Sequence, residues 1–264
     1  MNSPIRYFGG KTGMEDHIYK YYPDGCKGYL EAFFGSGAMF FHGKKYPIEV
    51  INDINQNVYS LFKVLSDKEM FSEFQIKANL AFYSEQLRQE AKDKLQTSLS
   101  LEERAFYFFY FNRTSRNGNG GFAPDTSNVR MNSSKSITDY LACVDRLPEI
   151  HSRLKQAIVL NQNAIDLLTK YDLPNWFYYL DPPYHWSTRT GARYENDMDD
   201  LEQEKFLKAV LSLKHAKVLI SGYDCKEYSI LEQKGFSKVQ FIGSASEKPE
   251  TLWMNYQIQE SLFN

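Results

Sequence analysis

Asp181, Pro182, Pro183 and Tyr184 follow the apolar run WFYYL without a break, so an acid, two stiff residues and an aromatic ring share one corner. A turn that only ends a strand accounts for the prolines and leaves the acid and the ring unexplained. Chemistry accounts for all four. The exocyclic amino nitrogen of a base such as adenine is a weak nucleophile, because its lone pair is delocalised into the ring. An acceptor on each amino hydrogen pushes that nitrogen toward tetrahedral geometry and frees the pair. The Asp181 carboxylate is one such acceptor and the Pro182 carbonyl the other, while Pro183 stiffens the turn and Tyr184 offers a face on which a base can stack. Such a corner works by positioning and electrostatics.

Two further stretches have the residue types of a nucleotide site. In EAFFGSGAM, residues 31–39, Gly35 and Gly37 let the backbone come close to a ligand at the carboxyl edge of a sheet. Phe40 stands where the third glycine of GxGxxG would be, which disfavours a dinucleotide oxidoreductase. Asp53 in INDIN ends the next apolar run, where an acid serves either as a helix cap or as the acceptor for a ribose diol. The N-terminal RYFGGKTG fails the phosphate-loop test, since Ile5 occupies the place of the leading glycine and no strand precedes it. Gly9, Gly10 and Lys11 still provide backbone donors and an ammonium for a carboxylate.

These residues need a frame. Apolar runs of strand length start at Gly28, Ile48, Ala157, Trp176 and Lys217, each ending in polar or glycine residues, and read as buried parallel strands. Helical patterns over 39–45, 57–65 and 201–213 lie among them, so the repeated strand-helix unit predicts an α/β doubly wound sheet. The last two runs, from Phe236 and Leu252, are joined by a short polar loop and predict a terminal hairpin with one antiparallel strand.

Residues 67–155 break the rhythm. Helices are predicted over 68–81, 85–96 and 101–111, the last opened by a Ser100–Glu103 capping box. Residues 112–135 then form an Asn, Gly and Ser-rich stretch too long for a plain connector. It holds Arg113, Arg116, Arg130 and Lys135 against Asp125, four cations minus one acid, or +3 in a chain of net charge −2. The insertion reads as a substrate-recognition domain, with a surface loop over a helical cap as the plainer alternative.

Composition narrows the classes. A chain of 264 residues has room for one large α/β domain or a domain carrying an insertion. With 31 Lys and Arg against 33 Asp and Glu, any nucleic-acid partner must be held by a local basic patch. The 19 Tyr and 19 Phe leave rings to spare for stacking. Cys26, Cys143 and Cys225 stand apart in no paired spacing, as expected of reduced thiols in a cytoplasmic protein. The five histidines fall in no short ligand spacing, so no metal is expected. No run reaches membrane-spanning length, so no membrane partner is expected.

Taken in order, RYFGGK, EAFFGSG, NDIN, FNRTSRNG, LDPPY, LISGYD and TLWMNY resemble the amino-methylating DNA methyltransferases of the Dam type, in a phage and prophage-like branch. In that group the lysine motif comes first, and the recognition region lies between the glycine motif and DPPY. The branch often carries two histidines and a glutamate after DPPY, where this chain has Asn196, Gln203 and Asp197, so no target sequence is carried over. The resemblance implies a Rossmann-like methyltransferase sheet, mostly parallel, with 1–66 and 156–264 as the catalytic domain binding S-adenosylmethionine. It makes 67–155 an inserted, mainly helical DNA target-recognition domain.

By the same resemblance Tyr7 and Lys11 meet the cofactor's carboxylate and main chain. Phe34, Gly35 and Gly37 line its methionine and ribose, and Asp53 binds the ribose hydroxyls. Asn163, Ile165 and Asp166 in NAID stand where the family holds the cofactor adenine, with Asp181 also at the cofactor. An adenine flipped out of double-stranded DNA would be held by Asp181 and Pro182 and stacked on Tyr184 for direct methyl transfer. Arg113, Arg116, Asn117, Arg130 and Lys135 would meet DNA, with residues 189–194 as an alternative recognition segment. The implied protein acts as a monomer or weak dimer in restriction-modification or phage protection. The rival readings are an RNA adenine or cytosine-N4 methyltransferase, a glutamine-amide methyltransferase and a silent nucleic-acid-binding relative. Asp181 favours adenine, since the glutamine enzymes usually have Asn there and the cytosine enzymes Ser.

Overall fold

The computed structural model describes residues 1–7, 9–122, 124–188, 197–243 and 248–257. In chain order its elements are α1 (Glu15–Tyr19), β1 (Gly28–Glu31), α2 (Ala38–His42), β2 (Ile48–Asn52), α3 (Gln56–Ser66), α4 (Lys68–Leu80), α5 (Glu85–Lys94) and α6 (Leu101–Thr114). Then follow β3 (Val129–Arg130), β4 (Ser133–Ser134), α7 (Lys135–Asp145), α8 (Leu147–Leu154), β5 (Ile158–Leu160), α9 (Ala164–Lys170), β6 (Trp176–Leu180), α10 (Asp200–Ser212), β7 (Lys217–Gly222), α11 (Ser229–Gln233), β8 (Ser237–Ile242) and β9 (Pro249–Met254). The chain divides into two compact units. One comprises Met1–Gly10, Gly35–Gly37 and Asn55–Val159, and the other Lys11–Phe34, Ala38–Ile54 and Leu160–Asn264.

The sheet has the order β5-β2-β1-β6-β7-β9-β8. Strand β1 pairs in parallel with β2 and β6, and β6 with β7, whereas β9 runs antiparallel to both β7 and β8. The terminal hairpin thus supplies the antiparallel strand expected from the sequence. Chain order reverses between β1 and β6, the place where open α/β sheets bind ligands at their carboxyl ends. Register sets Gly28 beside Trp176, and a Cβ on Gly28 would fall 2.2 Å from the indole, so only glycine can begin β1 here. Under the sheet, Leu30, Val50, Tyr178, Leu180, Val218 and Ile220 share a core with Phe206 and Val210 of α10. Strand β6 is buried along its whole length, as the unbroken apolar run WFYYL requires.

The helical unit gathers α3 to α8. Ser100 and Glu103 form the expected capping box on α6, and Phe109 and Tyr110 of that helix pack edge-on against Phe74 and Tyr140 respectively. The Tyr110 hydroxyl donates to the Phe82 carbonyl and accepts from the Ser84 N–H, tying the start of α5 to α6. Helix α3 belongs to this unit, which includes Asn55–Val159. Helices α1, α7, α8, α9 and α11 were not anticipated. Helices α1 and α9 are short, 5 and 7 residues, which leaves little periodicity to read. No helix among the described residues is long and apolar enough to cross a membrane.

Candidate active site

Strand β6 delivers Asp181 to the carboxyl edge of the sheet, and Lys11 meets it there. Lys11 Nζ lies 2.5 Å from Asp181 Oδ1, 2.7 Å from the Tyr184 hydroxyl and 3.5 Å from Glu250 Oε1. The ammonium is 2% exposed, and Glu250, entering from β9, is buried as well. The Tyr184 hydroxyl donates to the Glu250 carboxylate at 3.1 Å, and the Ser221 hydroxyl, itself 2.8 Å from the Tyr179 hydroxyl, donates to Asp181 Oδ1 at 3.1 Å. One cation, two carboxylates and three hydroxyls thus form a closed polar network at the end of an apolar strand.

The electrostatics follow from burial opposed by pairing. Burial raises Asp181 above the usual carboxylate range, while the Lys11 charge and the hydrogen bonds from Lys11 and Ser221 pull it back. Glu250 is raised for the same first reason, with Lys11 lowering it and Asp181 raising it further. For Lys11 burial works toward neutrality, but the Asp181 and Glu250 charges together outweigh it and hold the ammonium charged, above its ordinary value.

The corner itself is braced from the helix side. Gln203 of α10, buried, donates to the Pro183 carbonyl at 2.8 Å and accepts from the Tyr228 hydroxyl at 3.1 Å. The Tyr184 ring, 9% exposed, lies 4.5 Å from the Tyr223 ring at 45°. Glu250, Ser221, Tyr223 and the bracing role of Gln203 were not anticipated. An acid inside the apolar strand PETLWM was a readable anomaly; Ser221 and Tyr223 lie in LISGYD, read only for its place in the motif order, and Gln203 was read only as a departure from the branch pattern.

At the neighbouring strand ends, the Phe34 N–H donates to the Asn52 carbonyl at 2.9 Å. The Asn52 amide bridges the Ala32 and Gln162 carbonyls at 2.9 and 3.0 Å. Asp53 is not the cap of the helix that follows. Asn55 caps α3, its side chain accepting from the Asn57 and Val58 N–H groups, which removes the plainer reading of Asp53. Its backbone is held instead, the Asn161 amide donating to the Asp53 carbonyl at 2.7 Å. Asn163 caps α9 through the Ile165 N–H, leaving Ile165 half-buried against the sheet core and Asp166 exposed in the first turn.

In the other unit, Gly35 and Gly37 both have positive φ, 50° and 69°, and a Cβ on Gly35 would lie 3.0 Å from the Tyr7 ring. Positive φ and that close approach together favour glycine here. The segment after α6 makes a tight turn: Ser115 bridges Phe122, the Arg116 N–H donates to the Gly121 carbonyl, and Asn117 and Gly118 take positive φ. Buried Arg88 holds the turn through the Ser115 hydroxyl at 2.9 Å and the Gly120 carbonyl. Asn112 accepts from the Arg6 N–H at 2.9 Å and donates to the Arg6 and Gly118 carbonyls at 2.6 and 3.2 Å.

Arg116 and Asn117 stand exposed on that turn. Arg113 is placed differently. It is half-buried, donates to the Asp139 carbonyl at 3.1 Å, and burial pulls it below the usual arginine range. Exposed Arg130 and Lys135 both face the Asp139 carboxylate, at 3.5 and 2.6 Å, so part of the +3 counted over 112–135 is offset by an acid just beyond it. Residues 189–194, the alternative recognition segment, lie outside the described residues. The fold also brings His185, Cys225 and Glu227 together, a grouping of possible metal ligands that no spacing in the chain reveals.

The family model for D12 class N6 adenine-specific DNA methyltransferases matches residues 7–241. Among curated proteins, the chain is similar to the DNA adenine methylase of Haemophilus influenzae, 26% identical over 268 residues, covering 93% of this chain and 88% of that protein. It is also similar to the Type II methyltransferase M.CviBI of Paramecium bursaria Chlorella virus NC1A, 22% identical with 70% and 69% covered. A third relative is the Type II methyltransferase M1.LlaDCHI of Lactococcus lactis subsp. cremoris, 25% identical with 71% and 67% covered.

Proposed function

We propose, from the premise that the chain belongs to the D12 class N6 adenine-specific DNA methyltransferase family, that S-adenosylmethionine is its methyl donor and that Asp181 activates the N6 amino group of an adenine turned out of duplex DNA. The observation that carries this reading is the Asp181 carboxylate, 2.5 Å from the Lys11 ammonium at the end of β6 and next to two prolines and a tyrosine. Asp181 accepts one amino hydrogen and the Pro182 carbonyl the other, so the nitrogen lone pair is released from the ring. The amino proton lost on transfer passes to Asp181 and from there to solvent. Gln203 fixes the Pro183 carbonyl, and Lys11 with Glu250 fixes the Tyr184 ring against which the base stacks.

The residues fit the donor. Glycines at positive φ give the backbone close approach in Gly35–Gly37, and Asp53, which does not cap α3, brings an acid to the end of β2, where it would meet two ribose hydroxyls. Phe34, Ile165 and Asp166 would border the adenosyl group, and Tyr7 and Lys11 its methionine end. When bound, the donor supplies an electrophilic methyl on a sulfonium, and direct displacement needs no covalent enzyme intermediate. The unit containing α3 to α8 would read the DNA through Arg116 and Asn117, and the enzyme would work in the cytoplasm where that DNA lies.

The test is transfer of labelled methyl from S-adenosylmethionine to duplex DNA, followed by nucleoside analysis. Labelled N6-methyladenine with the wild type, and at least a tenfold loss with Asp181→Ala, about 1.4 kcal/mol of barrier, is expected. Label in RNA alone, in cytosine, or undiminished with Asp181→Ala would overturn the reading.

A further inference from the structure

His185, the residue after Tyr184, is 5% exposed, and its two ring nitrogens face different groups. Nε2 lies 3.2 Å from Asp200 Oδ1, an oxygen that also accepts from the Trp186 indole at 2.5 Å. Nδ1 lies 2.7 Å from the Ser187 hydroxyl and 3.9 Å from Glu227 Oε2. With Asp200 on Nε2 the proton sits there, so Nδ1 carries the lone pair; it accepts from the Ser187 hydroxyl at 2.7 Å and N–H at 3.4 Å and must leave those donors to reach an ion. One ligand atom each of His185, Cys225 and Glu227 lies within 4.8 Å of the others. A tetrahedral ion with bonds of about 2.0 to 2.3 Å holds its ligands roughly 3.3 to 3.8 Å apart, so only a small closure separates this arrangement from a coordination sphere.

We propose that His185 Nδ1, Cys225 Sγ and a Glu227 carboxylate oxygen bind one zinc-class divalent ion, with Asp200 orienting the imidazole and solvent completing the sphere. Imidazole, thiolate and carboxylate together select a borderline metal over magnesium or calcium, which take oxygen ligands. On binding, the Cys225 thiol releases its proton to solvent, and thiolate and carboxylate balance the two positive charges. The ion serves as a clamp. His185 continues directly from the DPPY corner, and Cys225 and Glu227 flank Lys226 in the segment after β7, where the Tyr228 N–H bonds the Cys225 carbonyl at 3.2 Å. Metal would join the two segments that also meet through the Tyr184 and Tyr223 rings. His185 and Cys225 stand 40 positions apart in the chain, which is why no sequence spacing announces the site.

The full chain, stripped with a chelator, is titrated with zinc chloride and, separately, cobalt chloride. One equivalent should bind, the cobalt complex should show a thiolate-to-metal charge-transfer band with tetrahedral ligand-field bands, and zinc should raise the melting temperature. Cys225→Ser and Glu227→Gln should each weaken binding at least tenfold, and Asp200→Asn about tenfold to a hundredfold. Less than half an equivalent at micromolar free zinc, a cobalt spectrum without the thiolate band, or undiminished affinity in Cys225→Ser would overturn the proposal. The cobalt spectrum is read on the wild type, so it decides even where a variant fails to fold.

Discussion

Lys11 Nζ stands 2.5 Å from Asp181 Oδ1, so the ammonium of the N-terminal glycine motif is the direct counter-ion of the DPPY acid. Burial alone would favour a neutral Asp181, and the ammonium opposes it. The ionised Asp181 is the stronger acceptor for an amino hydrogen and the form that can take up its proton, so methyl transfer should fall as pH drops through its raised pKa. Lys11→Met removes the opposing charge, and the acid limb of the rate profile should move to higher pH. Single-turnover rates across pH check this, and an unmoved limb would separate Lys11 from the ionisation of Asp181.

Glu250 gives a stability prediction of definite sign. Its folded pKa is raised above the ordinary 4.5, by burial first. Its titration therefore contributes stability that is fully present below the unfolded value and is lost as pH rises through the folded one. Glutamine at this position does not titrate. The stability of the wild type relative to Glu250→Gln should be most favourable below the ordinary 4.5 and decline as pH rises through the raised folded value. Urea denaturation of both proteins across that range reads the slope, and a difference that grows with pH would contradict the assignment.

How much of this was legible depended on whether the signal was local. The DPPY corner, the strand runs and the Ser100–Glu103 cap are consecutive or nearly so in the chain, and the fold keeps them, except that β5, read as buried, is an edge strand with one exposed and two half-buried residues. Glu250 reaches Lys11 only because β9 pairs with β7, which pairs with β6, a relation of topology that no residue spacing encodes. The same holds for Asp139, whose carboxylate reaches Arg130 across residues that a charge count over the loop stopped short of. Asp53 shows the opposite case. From sequence its two roles were equal, and the structure separates them by giving the cap to Asn55, two residues on.

Tyr184 carries two functions that substitution can divide. Its ring would stack with a base, while its hydroxyl bonds Lys11 and Glu250. Tyr184→Phe keeps the ring and should lower the methylation rate less than tenfold, about 1.4 kcal/mol. Tyr184→Ala also forfeits stacking, worth about 1 to 3 kcal/mol per base, and should be the more severe in affinity for DNA with an unpaired target adenine. Equal losses in the two variants would mean that the ring contributes nothing beyond its hydroxyl.

Asp53→Ala should weaken S-adenosylmethionine affinity before it changes the rate at saturating donor. Asn161→Ala should act in the same direction and less strongly, since it removes the amide that holds the Asp53 and Ile54 carbonyls without touching the carboxylate. Calorimetric titration of donor into each variant is the measurement. Unchanged affinity in Asp53→Ala would take that residue out of the site.

Arg113 and Arg116, three residues apart, should behave as different kinds of residue. Arg113 is half-buried and bonded to the Asp139 carbonyl, so Arg113→Ala should lower the melting temperature and leave the salt dependence of DNA binding unchanged. Arg116 is exposed on the turn between Ser115 and Phe122, so Arg116→Ala should alter stability by no more than about 0.5 kcal/mol. Its effect should fall on DNA instead. As a base reader it would relax the methylated sequence at one position, costing about 1 to 3 kcal/mol of discrimination; as a phosphate contact it would weaken all sites alike and reduce the salt slope by about one. If Arg116→Ala left target sequence, affinity and salt slope all unchanged, the turn that Arg88 and Asn112 hold in place would be a structural connector, and recognition would belong to another segment.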